Sequence, residues 1–277
     1  MKTCFRELYK VHFLTHRERM RRREHYYREA IKAGYRSRAA FKLKQINTKF
    51  EIFKVGNIVL DIGASPGGWS QVASELVHPK GKVYSLDIEY MEPLDNVYVI
   101  KGDITDKDTQ ERLRTIIGVP LDVVVCDISP KVSGNWSTDH ARQIYLSEEA
   151  LRLSVNGLLK QGGKYVCKLF QGDLFDHFLD NVKKLFTVVY LFKPKASRKQ
   201  SAEIYVIATN VLEAEQEAIN EIILNGKGAL TNLYCYRVDL LATSVKDSSL
   251  RKLVFASTRD VGDQLRIAQK RYNINEK

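Results

Sequence analysis

The stretch DIGASPGGWSQVA, residues 61–73, decides how this chain folds. It follows an apolar run, VGNIVL at residues 55–60, and it carries Gly63, Gly67 and Gly68 around a proline. A buried strand that enters a glycine turn and then a helix is typical of open α/β sheets, which bind ligands at the carboxyl ends of their strands. Glycine also lets a ligand come close to the backbone. The stretch therefore predicts a ligand site at this turn.

The same alternation of strand and helix continues along most of the chain, and it predicts a parallel sheet that is covered on both faces. Strand-like runs lie at residues 58–62, 83–87, 97–100, 123–127, 164–170, 188–192 and 203–208. Helix-like segments lie at residues 17–34, 38–50, 69–77, 105–117, 141–159 and 172–185. Only residues 193–202 separate the last two strands, which is too short for a crossover helix. We therefore predict an α/β fold with a mostly parallel seven-stranded sheet whose last strand is antiparallel.

The net charge of +11 is concentrated near the N-terminus. Residues 1–50 hold 15 Lys and Arg against 4 Asp and Glu, whereas the rest of the chain holds 29 of each kind. A basic segment favours nucleic acid as a partner, because each neutralised phosphate releases condensed counterions. Tyr26, Tyr27 and Tyr35 lie among these charges and could stack on bases. We predict a basic N-terminal arm at residues 1–34.

Other features of the sequence bear on compartment, metals and domain organisation. No apolar run is long enough to span a membrane, and the opening residues MKTCFRELYK lack the apolar block of a signal peptide. The four cysteines are scattered, so we expect a cytoplasmic protein with no membrane partner. His12 and His16 have no third ligand, so we expect no metal. The pattern predicts a main domain at residues 35–210 and a small appendage of unknown role at 211–277.

The glycine turn favours S-adenosylmethionine over a dinucleotide cofactor. A dinucleotide fingerprint reads G-x-G-x-x-G, and here Ser65 stands in place of the second glycine while Pro66 stiffens the turn. S-adenosylmethionine has no phosphate to cradle and needs only the close backbone approach that Gly63 allows. An NAD-type oxidoreductase remains the less favoured alternative.

Acidic residues follow the next two predicted strands at the same edge of the sheet. Asp87 ends the second strand, and its carboxylate suits the ribose hydroxyls of either cofactor. Asp103 follows the third strand and could meet the adenine edge. Either acid alone could instead be an ordinary strand-end or turn residue.

Four charged residues lie in apolar surroundings, and the predicted topology brings them to one edge of the sheet. Asp127 and Lys168 end neighbouring parallel strands, and Glu203 begins the antiparallel strand. Lys42 shares a helix stripe with Ala39, Leu43 and Ile46. Buried lysines need partners. The set therefore indicates either a structural ion-pair network or a catalytic group.

Seven motifs, in order over residues 24–210, make the chain similar to one family. They are YRSRAAFKL (35–43), DIGASPGGWSQVA (61–73), LDI (86–88), GDIT (102–105), CDISPKVSG (126–134), GGKYVCKLFQG (162–172) and SRKQSAEIYVIAT (197–209). Together they resemble the FtsJ-type, or RlmE-like, ribose 2′-O-methyltransferases. The resemblance implies a Rossmann-like class I methyltransferase fold with S-adenosylmethionine as the cofactor. It also implies a catalytic set, Lys42, Asp127, Lys168 and Glu203, and methyl-donor contacts at Gly67, Trp69, Asp87, Asp103 and Asp127.

The implied reaction moves a methyl group from a sulfonium to a ribose 2′-hydroxyl of RNA. Lys168 would be the central residue, as a base or as an orienting group, and Asp127 would connect it to the donor. Large-subunit ribosomal RNA is the first expected substrate, followed by tRNA and then an mRNA cap. A non-catalytic ribosome-assembly factor is the alternative from another class, but such a scaffold has no need of two buried lysines.

Overall fold

A computed structural model describes residues 25–198 and 200–212 of the chain. Several predictions lie outside these residues: most of the basic arm, the His12–His16 pair, and the appendage beyond residue 212. Within the described ranges, no helix is long and apolar enough to cross a membrane.

Seven strands form one sheet in the order β3-β2-β1-β4-β5-β7-β6. The strands are β1 (Ile58–Ile62), β2 (Lys82–Asp87), β3 (Val97–Lys101), β4 (Leu121–Cys126), β5 (Leu159–Phe170), β6 (Phe186–Phe192) and β7 (Glu203–Val211). The last strand, β7, is antiparallel to both of its neighbours, and all other pairs are parallel. The predicted fold is therefore confirmed. The chain order reverses between β1 and β4, and sheets of this kind bind ligands at such a switch point.

Helices cover both faces of this sheet. They are α1 (residues 25–32), α2 (Ala40–Phe50), α3 (Gly68–Val77), α4 (Lys107–Ile117), α5 (Trp136–Val155) and α6 (Phe175–Leu185). One apolar core joins α2 and α3 to one face, through residues such as Leu43 and Val72. The other core joins α4, α5 and α6 to the opposite face, through residues such as Leu113, Ile144 and Phe178.

The end of α5 was predicted wrongly, and its beginning was predicted too late. We expected a helix at 141–159, but α5 begins at Trp136 because the side chain of Asn135 accepts a hydrogen bond from the backbone of Thr138. The helix ends at Val155, and residues from Leu159 onward belong to β5. The earlier start places Trp136 at the edge of the sheet where the predicted site lies.

Residues 25–34, the last part of the predicted arm, pack on the domain together with Tyr35. Ala30 is buried in the core that holds α2 and α3, and the Tyr26 ring contacts Phe41. Tyr35 is buried as well, and its hydroxyl donates to Glu75 at 2.6 Å. Our suggestion that Tyr35 stacks on a base is therefore wrong. Of the three tyrosines, only Tyr27 is largely exposed.

Candidate active site

An open cleft of about 710 Å³ lies at the carboxyl ends of β1, β2 and β4. Four of the predicted cofactor residues line it: Gly63, Asp87, Asp103 and Asp127. The cleft thus lies at the switch point of the sheet, where the topology predicts a ligand.

The glycine turn forms the floor of the cleft and leaves no room for a side chain. Gly63 has a φ of +75°, and a Cβ there would lie 2.6 Å from the Cα of Ile128, which follows β4. The backbone of the turn therefore packs directly against the backbone of the neighbouring loop. Ile128 fills the space that the missing side chain leaves, so this glycine serves the packing of the fold, and the close approach of a ligand here stays a prediction.

Two of the acids that line the cleft, Asp87 and Asp103, are oriented by hydrogen bonds from nearby loops. Asp87 accepts the backbone N–H of Ser65 and that of Glu89, each at 2.8 Å. Asp103 accepts the backbone N–H of Thr105 at 2.9 Å and its hydroxyl at 2.8 Å. A carboxylate can accept about four hydrogen bonds, so each acid keeps free acceptor sites toward the cleft.

Acidic side chains outnumber basic ones in the cleft, where Asp87, Glu89, Asp103 and Asp127 stand against Lys131 and Arg142. Asp61 on β1 is fully buried, and burial raises its pKa to about 7, with a further contribution from the charges of Asp127 and Asp87. One of its oxygens accepts from Ser70 at 2.6 Å, and the other has no partner within the part of the chain that the structure describes. Such a field suits a ligand that carries hydroxyls and positive charge. S-adenosylmethionine carries both, so the residues of the cleft fit it.

Gly67 and Trp69, also predicted to contact the donor, do not line this cleft. Gly67 precedes α3 with a φ of +109° and lies beside the side chain of Arg36. The Trp69 indole is buried, where it donates to the backbone oxygen of Ala39 at 2.9 Å and contacts the Tyr205 ring. Trp69 therefore fastens α3 to α2, and its contact with a donor stays a prediction.

Lys168, near the end of β5, is held by three acceptors. Its Nζ lies 2.7 Å from the backbone oxygen of Asp127, 3.0 Å from Oδ1 of the same residue and 2.9 Å from the hydroxyl of Ser129. Lys168 is 5% exposed, so these contacts replace most of its hydration. Asp127 also lines the cleft, and it therefore connects the cleft to this lysine.

Lys42 and Glu203 form the second ion pair of the predicted set. The Lys42 Nζ lies 2.8 Å and 2.9 Å from the two oxygens of Glu203, and both side chains are about one-tenth exposed. Burial by itself raises the pKa of Glu203, but the Lys42 ammonium and hydrogen bonds from Ser197 and Tyr205 hold it below its ordinary value. Glu203 is therefore ionised at neutral pH.

Tyr205 lies between the two ion pairs. Its hydroxyl donates to Glu203 at 2.9 Å and lies 3.4 Å from Oδ1 of Asp127. Burial raises the pKa of Tyr205 well above its ordinary value, and the charges of Asp127 and Glu203 raise it further. The phenol therefore stays protonated and links the pairs as a donor. The structure brings all four predicted residues, Lys42, Asp127, Lys168 and Glu203, into one network.

Sequence reasoning missed the neutral members of this network, Ser129, Ser197 and Tyr205. Tyr205 could have been found, because it pairs with Lys168 in the antiparallel register of β5 and β7. Ser129 and Ser197 lie in loops whose course no local pattern predicts. Among the described residues, no group of three or more possible metal ligands occurs.

A seven-stranded sheet with an antiparallel last strand, a glycine turn and acids at the strand ends is the architecture of Rossmann-like class I methyltransferases. The model of the FtsJ-like methyltransferase family matches residues 35–211, well over half of the chain. The chain belongs to the FtsJ-like methyltransferase family.

Curated relatives and a solved structure extend this comparison. A protein of Methanothrix thermoacetophila named ribosomal RNA large subunit methyltransferase E is 50% identical over 192 residues, which cover 69% of this chain and 74% of the relative. A protein of the same name from Methanosarcina mazei is 41% identical over 249 residues, 89% of this chain and 87% of the relative. A structure from Plasmodium falciparum has a TM-score of 0.58 and 30% identity, and it covers 65% of this chain and all of that chain.

Proposed function

We propose that the protein transfers a methyl group from S-adenosylmethionine to a ribose 2′-hydroxyl of large-subunit ribosomal RNA. One observation carries the proposal: Asp127 both lines the cleft and holds Lys168 at 2.7 and 3.0 Å. A donor in the cleft and a hydroxyl at Lys168 would therefore be neighbours. Bringing reactants together in this way can supply about 7–11 kcal/mol of the barrier.

Four residues of the cleft would hold the donor. Asp87 and Asp103 have free carboxylate acceptors for its hydroxyl and amino groups, and Asp127, which follows β4, lines the cleft beside them together with Gly63. When bound, S-adenosylmethionine supplies a methyl group that is activated by the adjoining sulfonium.

Lys168 accepts the proton of the ribose hydroxyl. To act as a base, Lys168 must be a neutral amine, with two N–H donors for the backbone oxygen and Oδ1 of Asp127. Its lone pair then lies at the third position, where the Ser129 hydroxyl stands at 2.9 Å, so the ribose hydroxyl would take the place of Ser129 there. Lys168 would take the proton of the 2′-hydroxyl, and the bound donor would supply its methyl group to the 2′-oxygen and leave as the neutral thioether. A positioned general base contributes about 10²–10⁴-fold to such a step.

Lys42 binds the RNA from the other side of the network. An ammonium has three N–H donors, and the Glu203 oxygens accept two of those on Lys42. The third donor is available for a phosphate or ribose oxygen of the substrate. Tyr205 and Glu203 keep Lys42 in place, so their part is to position it.

Two observations support large-subunit ribosomal RNA as the substrate, and a third supports the cytoplasm as the compartment. Relatives that are 50% and 41% identical are named large subunit methyltransferases. The positive charge of the first 50 residues suits a large phosphate-bearing partner. Cys126 and Cys167 are free and buried, as expected in a reducing compartment.

The test uses the full chain with methyl-labelled S-adenosylmethionine and three separate RNA pools: unmodified large ribosomal subunits, free ribosomal RNA and tRNA. We expect label on a ribose 2′-oxygen of large-subunit RNA in the first two pools. Lys168→Ala should lower the rate at least 100-fold while donor binding, measured by calorimetry, is unchanged. The matched control is Lys184→Ala, an exposed lysine on α6. Label in tRNA alone would refute the substrate, and a normal rate for Lys168→Ala would refute the catalytic role.

A further inference from the structure

An exposed tryptophan lies beside the proposed catalytic residues, and the proposed mechanism does not use it. Trp136 is the first residue of α5 and is 52% exposed. Its indole is parallel to the buried ring of His140, at 9° and a centroid distance of 6.0 Å, and the Phe170 ring lies at the same distance. The three residues Trp136, His140 and Phe170 are called the aromatic platform below.

The platform is held rigid by the loops around it. The Asp139 carboxylate accepts the backbone N–H groups of Ser133 and Gly134 at 2.8 to 3.1 Å, which fastens the loop before α5. His140 accepts the backbone N–H of Leu174 at 3.1 Å. Gly172 leaves the space for the imidazole, because a Cβ there would lie 2.7 Å from the ring. The surface is therefore formed before any ligand arrives.

The platform lies next to the groups that would meet the substrate ribose. Phe170 follows Lys168 by two positions on β5, so both point to one face of the strand about 7 Å apart. Phe170 also pairs directly with Glu203 in the sheet register. The Trp136 ring in turn lies 6.0 Å from the Phe170 ring, so Phe170 connects the exposed tryptophan to the strand that carries Lys168.

The chemistry of the platform favours a nucleobase over other occupants. Aromatic rings stack on every base through their π faces, whatever the sequence. Burial lowers the pKa of His140, so the ring beneath Trp136 is neutral at neutral pH. The exposed Lys131 lies in the loop that leads to Trp136 and adds positive charge for the RNA backbone.

We propose that Trp136, supported by His140 and Phe170, stacks on a nucleobase that adjoins the nucleotide whose ribose faces Lys168. The inference rests on the proposed function, because it takes RNA as the substrate. It assigns to this edge of the sheet a binding subsite for an unpaired base, separate from the donor cleft.

The test measures binding of fluorescein-labelled decauridine to the full chain by anisotropy, together with methylation kinetics on large-subunit RNA. Trp136→Ala should weaken oligonucleotide binding and raise KM for RNA about 5- to 150-fold, which is the usual range for losing one stacked base. The rate at saturating RNA and the affinity for S-adenosylmethionine should change less than twofold. Trp136→Tyr should restore most of the binding, whereas Trp136→Leu, which is apolar but has no π face, should not.

Tyr98→Ala is the matched control. Tyr98 is 51% exposed and stacks on Tyr84 at 5.2 Å. It lies on β3, an edge strand that β2, β1 and β4 separate from β5, the strand of Phe170. Its removal should leave RNA binding unchanged.

The outcomes separate this inference from the function on which it rests. If the wild type methylates RNA but Trp136→Ala or Trp136→Leu binds it within twofold of the wild type, the platform is not a base subsite. An effect seen only with whole ribosomal subunits, and not with RNA alone, would indicate a protein partner and overturn the inference as well. If the wild type neither binds RNA nor transfers methyl groups, the proposed function fails first.

Discussion

Replacing Glu203 by glutamine keeps the shape of the side chain but removes the counter-charge of Lys42. In the wild type, the Lys42 Nζ lies 2.8 and 2.9 Å from the two carboxylate oxygens. In the variant, an amide nitrogen, which can only donate, would replace one of the two oxygens that face the ammonium. Ser197 and Tyr205 could still donate to the remaining oxygen, so the loss is confined to the ion pair.

The size of the effect follows from burial. Breaking a buried pair by removing one partner costs about 3–5 kcal/mol, because a charge is left without compensation. Here both side chains are about one-tenth exposed, so we expect the lower end, about 3 kcal/mol. For a domain of this size, that corresponds to a decrease in Tm of about 6–12 °C.

Urea unfolding at pH 7.5 would compare wild type, Glu203→Gln, Lys42→Met and the double variant. The double variant has no unpaired charge, so its loss should be smaller than the sum of the two single losses by about 2 kcal/mol. The control pair is Asp180–Lys183 on α6, which is more than half exposed. Breaking it should cost less than about 1 kcal/mol.

The pH dependence gives a second check on the same pair. Because the folded pKa of Glu203 lies below its ordinary value of 4.5, its stabilisation is complete above that pH and is lost as the pH falls through the folded value. The difference between wild type and Glu203→Gln should therefore shrink below about pH 4.5. Additive single losses, or a difference that does not change with pH, would refute the view that a buried ion pair joins α2 to β7.

Three further predictions concern other parts of the site and its supports. Ser129→Ala removes the hydroxyl that lies 2.9 Å from the Lys168 Nζ, so kcat should fall about tenfold. Calorimetry should find an unchanged affinity for S-adenosylmethionine. An unchanged kcat would show that Asp127 alone orients the lysine. Gly63→Ala places a Cβ 2.6 Å from the backbone of Ile128 at a φ of +75°, so urea unfolding should show a loss of at least about 2 kcal/mol and donor affinity should fall. Glu148→Gln removes a carboxyl whose pKa burial raises from 4.5 to about 8. The Glu148 carboxyl loses its proton at a lower pH in the unfolded chain than in the folded one, so wild-type stability should decrease from pH 5 to pH 8. The stability of the variant should rise relative to that of the wild type over this range. Parallel stability curves for the two proteins would contradict this.

Much of the fold was predictable because its signals are local. The apolar run before the glycine turn predicted β1 at residues 58–62, and the turn itself predicted the start of a helix. The short connection at 193–202 predicted that β7 is antiparallel, because a crossover helix cannot fit there. The end of α5 was missed although Asn156 and Gly157 form an ordinary stop signal for a helix, after which Leu158 and Leu159 lead into β5.

The sequence by itself determined the α/β sheet, the edge at which the site lies, and the four charged residues that meet there. It could do so because the apolar runs and the turns after them mark where the strands end. The carboxyl ends of neighbouring parallel strands lie at one edge of the sheet. Only the tertiary structure decided the partners: Lys168 with Asp127, Lys42 with Glu203, and Tyr205 between them. It also directed Trp69 into the core and left Trp136 at the surface. Side-chain direction depends on how helices and loops pack over the sheet, and residues distant in the chain determine that packing.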